Sequence, residues 1–206
     1  MSLIEDLAAD RLLAIIRGKD VEASIATAIA LVDEGVRSME ISLSSADALT
    51  VLSEVSSALG DRVRLGAGTV LTPADVDAAL DNGATYIVTP AIAPSISTAV
   101  DRGVPVLCGA LTPTEVLTAL DAGADAVKLF PVSSMGPRYV KDLRAPFPST
   151  PFVPVGGVGV DEAEGFLADG AVAVGVASPL LGDAANGGDL DALRERARRF
   201  LNAVCR

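Results

Sequence analysis

The run Ala126-Val127-Lys128-Leu129-Phe130-Pro131 is apolar, ends at a proline and carries one lysine in its middle. It reads as a buried β-strand. The chain has only three lysines. Lys19 lies beside Gly18 and Asp20 in a turn, and Lys141 lies in a polar helical stretch, so Lys128 alone interrupts a hydrophobic strand. Burial disfavours a charged amine, and a neutral amine is a nucleophile toward carbonyls. The structural alternative is a buried ion pair or a side chain that reaches back to water.

Outward from this strand, the same unit recurs. Helices end in Asp-x-Gly and a strand follows at once: Asp81-Asn82-Gly83, Asp101-Arg102-Gly103 and Asp121-Ala122-Gly123, with Asp33-Glu34-Gly35 and Asp169-Gly170 as variants. Thr72-Pro73-Ala74-Asp75 and Thr112-Pro113-Thr114-Glu115 offer a threonine N-cap, a proline at the first helical position and an acid in the first turn. Strands are expected at 12–18, 38–43, 63–69, 86–89, 105–108, 126–130, 152–155 and 171–176. Helices are expected over 20–34, with Gly35 just past the end, over 45–59 and, last, over 190–204. A short N-terminal helix closes at Asp10. Eight alternating β and α units with short connections imply a parallel (β/α)8 barrel, an α/β fold of TIM type, as a single domain over residues 1–206. An open doubly wound sheet is the alternative, but the glycine-rich first turn it often carries is missing.

Composition narrows the function. Half of the 206 residues are hydrophobic, enough for one sizeable core. The net charge of −11 argues against nucleic acid or an anionic membrane as partner, though not against an anionic small molecule. No apolar run is long enough to span a bilayer. Met1 to Arg11 carries Glu5, Asp6 and Asp10 and does not read as a signal peptide. Cys108 and Cys205 form no framework, so a cytoplasmic location is expected. The absence of histidine removes Ser-His-Asp and Cys-His catalysis and leaves zinc without its usual ligands. Only a carboxylate magnesium site stays open.

In such a barrel the chemistry sits at the C-terminal strand ends. Alternation in the second strand turns Ser38, Glu40 and Ser42 to one face and Met39, Ile41 and Leu43 to the other. The apolar face meets the helices, so Glu40 points inward, as Lys128 does between Val127 and Leu129. Arg17 and Thr69 end the first and third strands. A structural salt bridge of Glu40 with Lys128 or Arg17 is the alternative, although such a pair contributes little to stability once desolvated. Gly156 and Gly157 after the seventh strand let backbone amides approach a ligand. Ser178-Pro179 reads as the N-cap and first turn of a short extra helix, the usual phosphate position in this barrel. A tight turn that needs glycine is the alternative for Gly156-Gly157.

Taken together, Ile15-Ile16-Arg17-Gly18, Met39-Glu40-Ile41, Gly66-Ala67-Gly68-Thr69-Val70-Leu71, Ile87-Val88-Thr89-Pro90, Val127-Lys128-Leu129-Phe130-Pro131 and Val155-Gly156-Gly157 make the chain resemble the 2-keto-3-deoxy-6-phosphogluconate/6-phosphogalactonate aldolases. The resemblance spans nearly the whole length. It implies a class I aldolase with Lys128 as the Schiff-base lysine and Glu40 as the general acid–base. It implies substrate contacts from Arg17, Thr69, Thr89, Pro90, Phe130 and Val155, and a phosphate held by Gly156, Gly157, Ala177 and Ser178. It implies no metal and no organic cofactor, a phosphorylated keto sugar acid as ligand, and a homotrimer. Gluconate-type members follow the glutamate strand with Leu-Arg-Thr and carry threonine before the glycine pair; here stand Leu43-Ser44-Ser45 and Val155. Ser133-Ser134-Met135-Gly136-Pro137 also resembles the galactonate-type loop, so the reading leans to 6-phosphogalactonate. Two other readings remain at this point: a sugar-phosphate isomerase or epimerase using Lys128 and Glu40 without a covalent intermediate, and a non-catalytic phosphometabolite-binding barrel.

Overall fold

The repeated cap signals form as their chemistry dictates. In the computed structural model, which describes residues 2–205, Thr72 and Thr112 each accept a hydrogen bond from the third helical amide. Asp75 and Glu115 each accept one from the cap amide, and a proline opens each helix. At the other ends Gly83, Gly103 and Gly123 sit at φ of 94°, 68° and 90°. Only glycine adopts this left-handed turn without strain, and it sends the chain directly into the next strand.

Eight strands result: β1 (Leu12–Ile16), β2 (Ser38–Ser42), β3 (Arg64–Gly68), β4 (Ile87–Val88), β5 (Val106–Ala110), β6 (Ala126–Leu129), β7 (Phe152–Pro154) and β8 (Val174–Val176). The helices are α1 (Leu3–Asp10), α2 (Val21–Asp33), α3 (Ala48–Leu59), α4 (Pro73–Asp81), α5 (Ser95–Asp101), α6 (Pro113–Asp121), α7 (Arg138–Arg144), α8 (Val160–Ala168), α9 (Ser178–Leu181) and α10 (Leu190–Val204). The sheet order is β7-β6-β5-β4-β3-β2-β1-β8, parallel throughout. The β7–β8 seam is closed by one bridge between Val155 and Gly175. This is the expected (β/α)8 barrel.

Several boundaries differ from expectation. Strands β1, β3 and β4 stop short of their expected C-terminal ends, and β8 begins only at Val174, where its pairing with β1 starts. Helix α3 begins at Ala48 rather than Ser45. Ser45 is held in the preceding turn, where its amide donates to the Ser42 carbonyl and its hydroxyl accepts from the Gly18 amide. Ser178 is not an N-cap: Ala177 takes that position, no side chain caps α9, and Ser178 is the first helical residue.

Alternation along the strands separates two cores. Met39, Ile41, Val127 and Leu129 pack outward with the helices. Leu13, Ile15, Tyr86, Val88, Leu107, Val153 and Val155 fill the barrel interior. Leu3 and Leu7 of α1 join that inner cluster and close the N-terminal end. Among the described residues no helix is long and apolar enough to cross a membrane.

Candidate active site

Lys128 and Glu40 meet inside the barrel. Register brings Lys128 opposite Gly109 on β5 and Val153 on β7. On the far side Glu40 pairs with Ile15 and Gly66. Lys128 Nζ donates to Glu40 Oε1 across 3.2 Å, with the two side chains 7% and 1% exposed. The Lys128 amine also lies 5.9 Å from the Phe130 ring centroid, within reach of a cation–π attraction. Glu40 Oε2 is buried with no hydrogen-bond partner among the described residues. An orphaned carboxylate oxygen beside a buried amine costs stability, and stability alone gives no reason for it.

Small residues make this possible. A methyl at Gly68 would lie 2.6 Å from Glu40 Oε1, so the glycine leaves the space the carboxylate occupies. Gly66, two residues earlier on the same face, makes room for the Tyr86 ring. The Tyr86 hydroxyl donates to the Met39 carbonyl across 2.6 Å. Burial, and then the Glu40 charge, pushes its ionisation well above the usual tyrosine range, so it stays a donor.

Above the pair opens a cavity of about 360 Å³ at the C-terminal strand ends. Arg17 and Thr69 contribute the wall from β1 and β3; Pro90, Phe130 and Val155 contribute the wall from β4, β6 and β7. Gly156, Gly157, Ala177 and Ser178 complete it, with Lys128 at its base. Gly156 and Gly157 stand at φ of 108° and 74°, a conformation that other residues adopt only with strain. Arg17 forms no ion pair among the described residues; its hydrogen bond is from Nε to Ser42 Oγ, 3.4 Å. Thus the cavity is lined by a cation, hydroxyl-bearing side chains, a glycine pair and the Lys128 amine, with Glu40 buried behind that amine.

Of the residues singled out from sequence, two stand back from the cavity wall: Glu40, which reaches it through Lys128, and Thr89. Thr89 is fully buried, and its hydroxyl accepts from the Gly109 amide at 3.3 Å. Its neighbour Pro90 reaches the cavity because Gly109 has no side chain; a methyl there would strike the Pro90 carbonyl. Among the described residues no group of three or more His, Cys, Asp or Glu side chains comes together as a metal site.

Comparison with known proteins decides the family. The model for the KDPG and KHG aldolases matches residues 3–195. The chain belongs to this aldolase family. It is 40% identical over 171 residues to the 2-dehydro-3-deoxy-6-phosphogalactonate aldolase of Escherichia coli K12, covering 82% of this chain and 83% of that protein. It is 37% identical over 141 residues to a 2-dehydro-3-deoxy-phosphogluconate aldolase of Pseudomonas aeruginosa, covering 68% of this chain and 64% of that protein. A solved structure described as native KDPGal superposes with a TM-score of 0.87 at 37% identity, over 93% of both chains. The protein is therefore a carbon–carbon lyase on a family barrel.

Residues not singled out as site members also reach this aldolase cavity. Ile15 and Pro179 line it, and Gly68 and Gly109 shape it by absence. Ile15 was signalled by alternation, lying between Leu13 and Arg17. Pro179 lies directly after Ser178 in the first turn of α9, so the expected Ser178 position already pointed to it.

Proposed function

We propose that this aldolase cleaves a 2-keto-3-deoxy-6-phospho sugar acid to pyruvate and glyceraldehyde 3-phosphate through a Schiff base on Lys128. The observation that carries the reading is the buried 3.2 Å contact between Lys128 Nζ and Glu40 Oε1 at the base of the cavity. Glu40 is positioned to take a proton from the amine, which then attacks the C2 ketone. Glu40 returns that proton to the departing hydroxyl, and the carbinolamine loses water to give an iminium ion. As the C3–C4 bond breaks, its electrons pass into the iminium to form an enamine, and the C4 hydroxyl proton passes to Glu40, directly or through water. The aldehyde leaves, C3 of the enamine regains a proton, and hydrolysis of the imine releases pyruvate. The water lost on forming the imine is returned at its hydrolysis.

Arg17 and Thr69 hold the carboxylate of the keto acid, the former as a charge-assisted donor. Gly156, Gly157 and the Ala177-Ser178 segment receive the 6-phosphate through backbone amides and a hydroxyl. Val155 on the cavity wall and Ser44 after β2, where gluconate-type sequences differ, support the galacto configuration, as does the similarity to the Escherichia coli 6-phosphogalactonate aldolase. The protein works in the cytoplasm as a homotrimer. Exposed Leu71, Ile92, Val100 and Leu117, carried by the units from β3 to α6, supply apolar surface for it.

Pyruvate release from the two C4-epimeric substrates tests this. The galacto epimer is expected to be favoured in kcat/KM by at least about tenfold, a discrimination ordinary for a few contacts. Preference for the gluco epimer would refute the stereochemical part. Release of pyruvate from neither would refute the reaction.

A further inference from the structure

We infer that Ser42 is a positioning residue that orients Arg17 and primes Thr69 to donate to the substrate's carboxylate. The inference rests on the keto-acid reading above and goes beyond it by naming what sets the carboxylate end. Ser42 is the last residue of β2 and is completely buried, so it does not touch substrate itself. Register places it opposite Gly68, directly before Thr69, and level with Arg17, because Ile16 pairs with Ile41. Its Oγ has three neighbours: Arg17 Nε at 3.4 Å, Thr69 Oγ1 at 2.9 Å and Ser44 Oγ at 2.8 Å.

Counting protons leaves this array two arrangements. A hydroxyl has one proton and two lone pairs, and a guanidinium only donates. Arg17 therefore occupies one lone pair of Ser42. The other lone pair and the proton are divided between Ser44 and Thr69. If Ser42 donates to Ser44, Thr69 must donate to Ser42, and its proton turns away from the cavity. If Ser42 donates to Thr69, Ser44 donates to Ser42, and the Thr69 proton is free for a ligand. A carboxylate can only accept, so its binding selects the chain Ser44 to Ser42 to Thr69 to carboxylate.

Thr69 itself is held at φ 61°, a left-handed conformation that a β-branched residue adopts only when its surroundings impose it. The Ser42 bond is one of those constraints, and it aims the hydroxyl into the cavity that Thr69 lines. Ser44, by contrast, is exposed and replaceable. Without it Ser42 keeps its proton for Thr69 and loses only an incoming bond.

The test is the pyruvate concentration that half-saturates borohydride trapping, read by intact mass, in the unaltered protein and in Ser42→Ala, Ser42→Thr, Thr69→Val and the Ser42→Ala/Thr69→Val pair. Ser42→Ala is expected to raise that concentration by about tenfold while the saturated trapping rate stays within about threefold, as fits loss of ground-state binding. Ser42→Thr restores the value. Ser42→Ala has a smaller effect in the Thr69→Val background than alone, since the two share one interaction. An unshifted half-saturation in Ser42→Ala, no rescue by threonine, or simple multiplication of the two effects would overturn the inference. If Ser42→Ala does not fold, Ser42→Thr and Thr69→Val still decide it: a displaced Ser42→Thr or an unaffected Thr69→Val overturns it. No adduct in the unaltered protein would instead remove the keto-acid reading beneath it.

Discussion

Gly68→Ala is a one-methyl change that reaches the reaction without substituting either reacting side chain. Gly68 faces inward on β3 and does not use a left-handed backbone, so alanine meets no backbone strain there. Its new methyl would lie 2.6 Å from Glu40 Oε1 and 2.9 Å from Glu40 Cδ, whereas ordinary contact starts at 3.4 Å. The carboxylate must withdraw by the difference for Oε1, about 0.8 Å. Oε1 is the atom that accepts from Lys128 at 3.2 Å, already near the limit of a hydrogen bond, so this withdrawal breaks or re-aims the contact. Misplacing a catalytic group by about 1 Å costs on the order of 100-fold, and kcat should fall by about that factor. Overpacking should lower stability by about 1–3 kcal/mol. Stopped or continuous assays of pyruvate release would read kcat, with urea unfolding as the control. Pyruvate should still be trapped on Lys128, because the amine remains. A folded Gly68→Ala protein with kcat within about twofold of normal would refute the claim that Glu40 placement governs turnover.

Lys128→Met should abolish pyruvate release, and by leaving Glu40 buried without its counter-charge it should cost about 3–5 kcal/mol in urea unfolding. Adding Glu40→Gln should recover part of that loss without recovering activity. Tyr86→Phe removes the 2.6 Å hydrogen bond to the Met39 carbonyl and should lower stability by about 1–2 kcal/mol with kcat little changed, as read by thermal melts and steady-state assay. Hydrogen bonding to Arg198, with Arg194 behind it, lowers the Glu34 carboxyl below its ordinary 4.5. Its contribution is therefore complete above that value and lost as pH falls through the lower folded one. Glu34→Gln should flatten the acid limb of a stability–pH curve. Asp10, raised by burial, contributes in the opposite direction, favouring the fold less as pH rises past 3.8.

Much of this was legible because it depended on local chemistry. The capping threonines, the Asp-x-Gly helix ends and the apolar strands set the eightfold repeat, and period-two alternation was enough to turn Lys128 and Glu40 inward toward each other. What sequence did not disclose depends on neighbours brought by register. Thr89 was expected on the substrate wall, yet its hydroxyl accepts the Gly109 amide from the adjoining strand. Ser178-Pro179 looked like a capped helix start, but the proline occupies a later position and Ala177 takes the cap. Strand β8 was expected from Ala171. The Ala171 amide instead ends the preceding helix on the Phe166 carbonyl, and the ladder with β1 forms only from Val174. The Arg17–Ser42–Thr69 contacts join three strands and could not be read along any one of them.

The central claim is that Lys128 is the nucleophile, and borohydride reduction in the presence of pyruvate tests it most directly. Intact mass followed by peptide mapping should find one pyruvate-sized adduct per chain, on the peptide holding Lys128 and absent from Lys128→Met. An adduct on Lys19 or Lys141, or none on folded protein, would contradict the account.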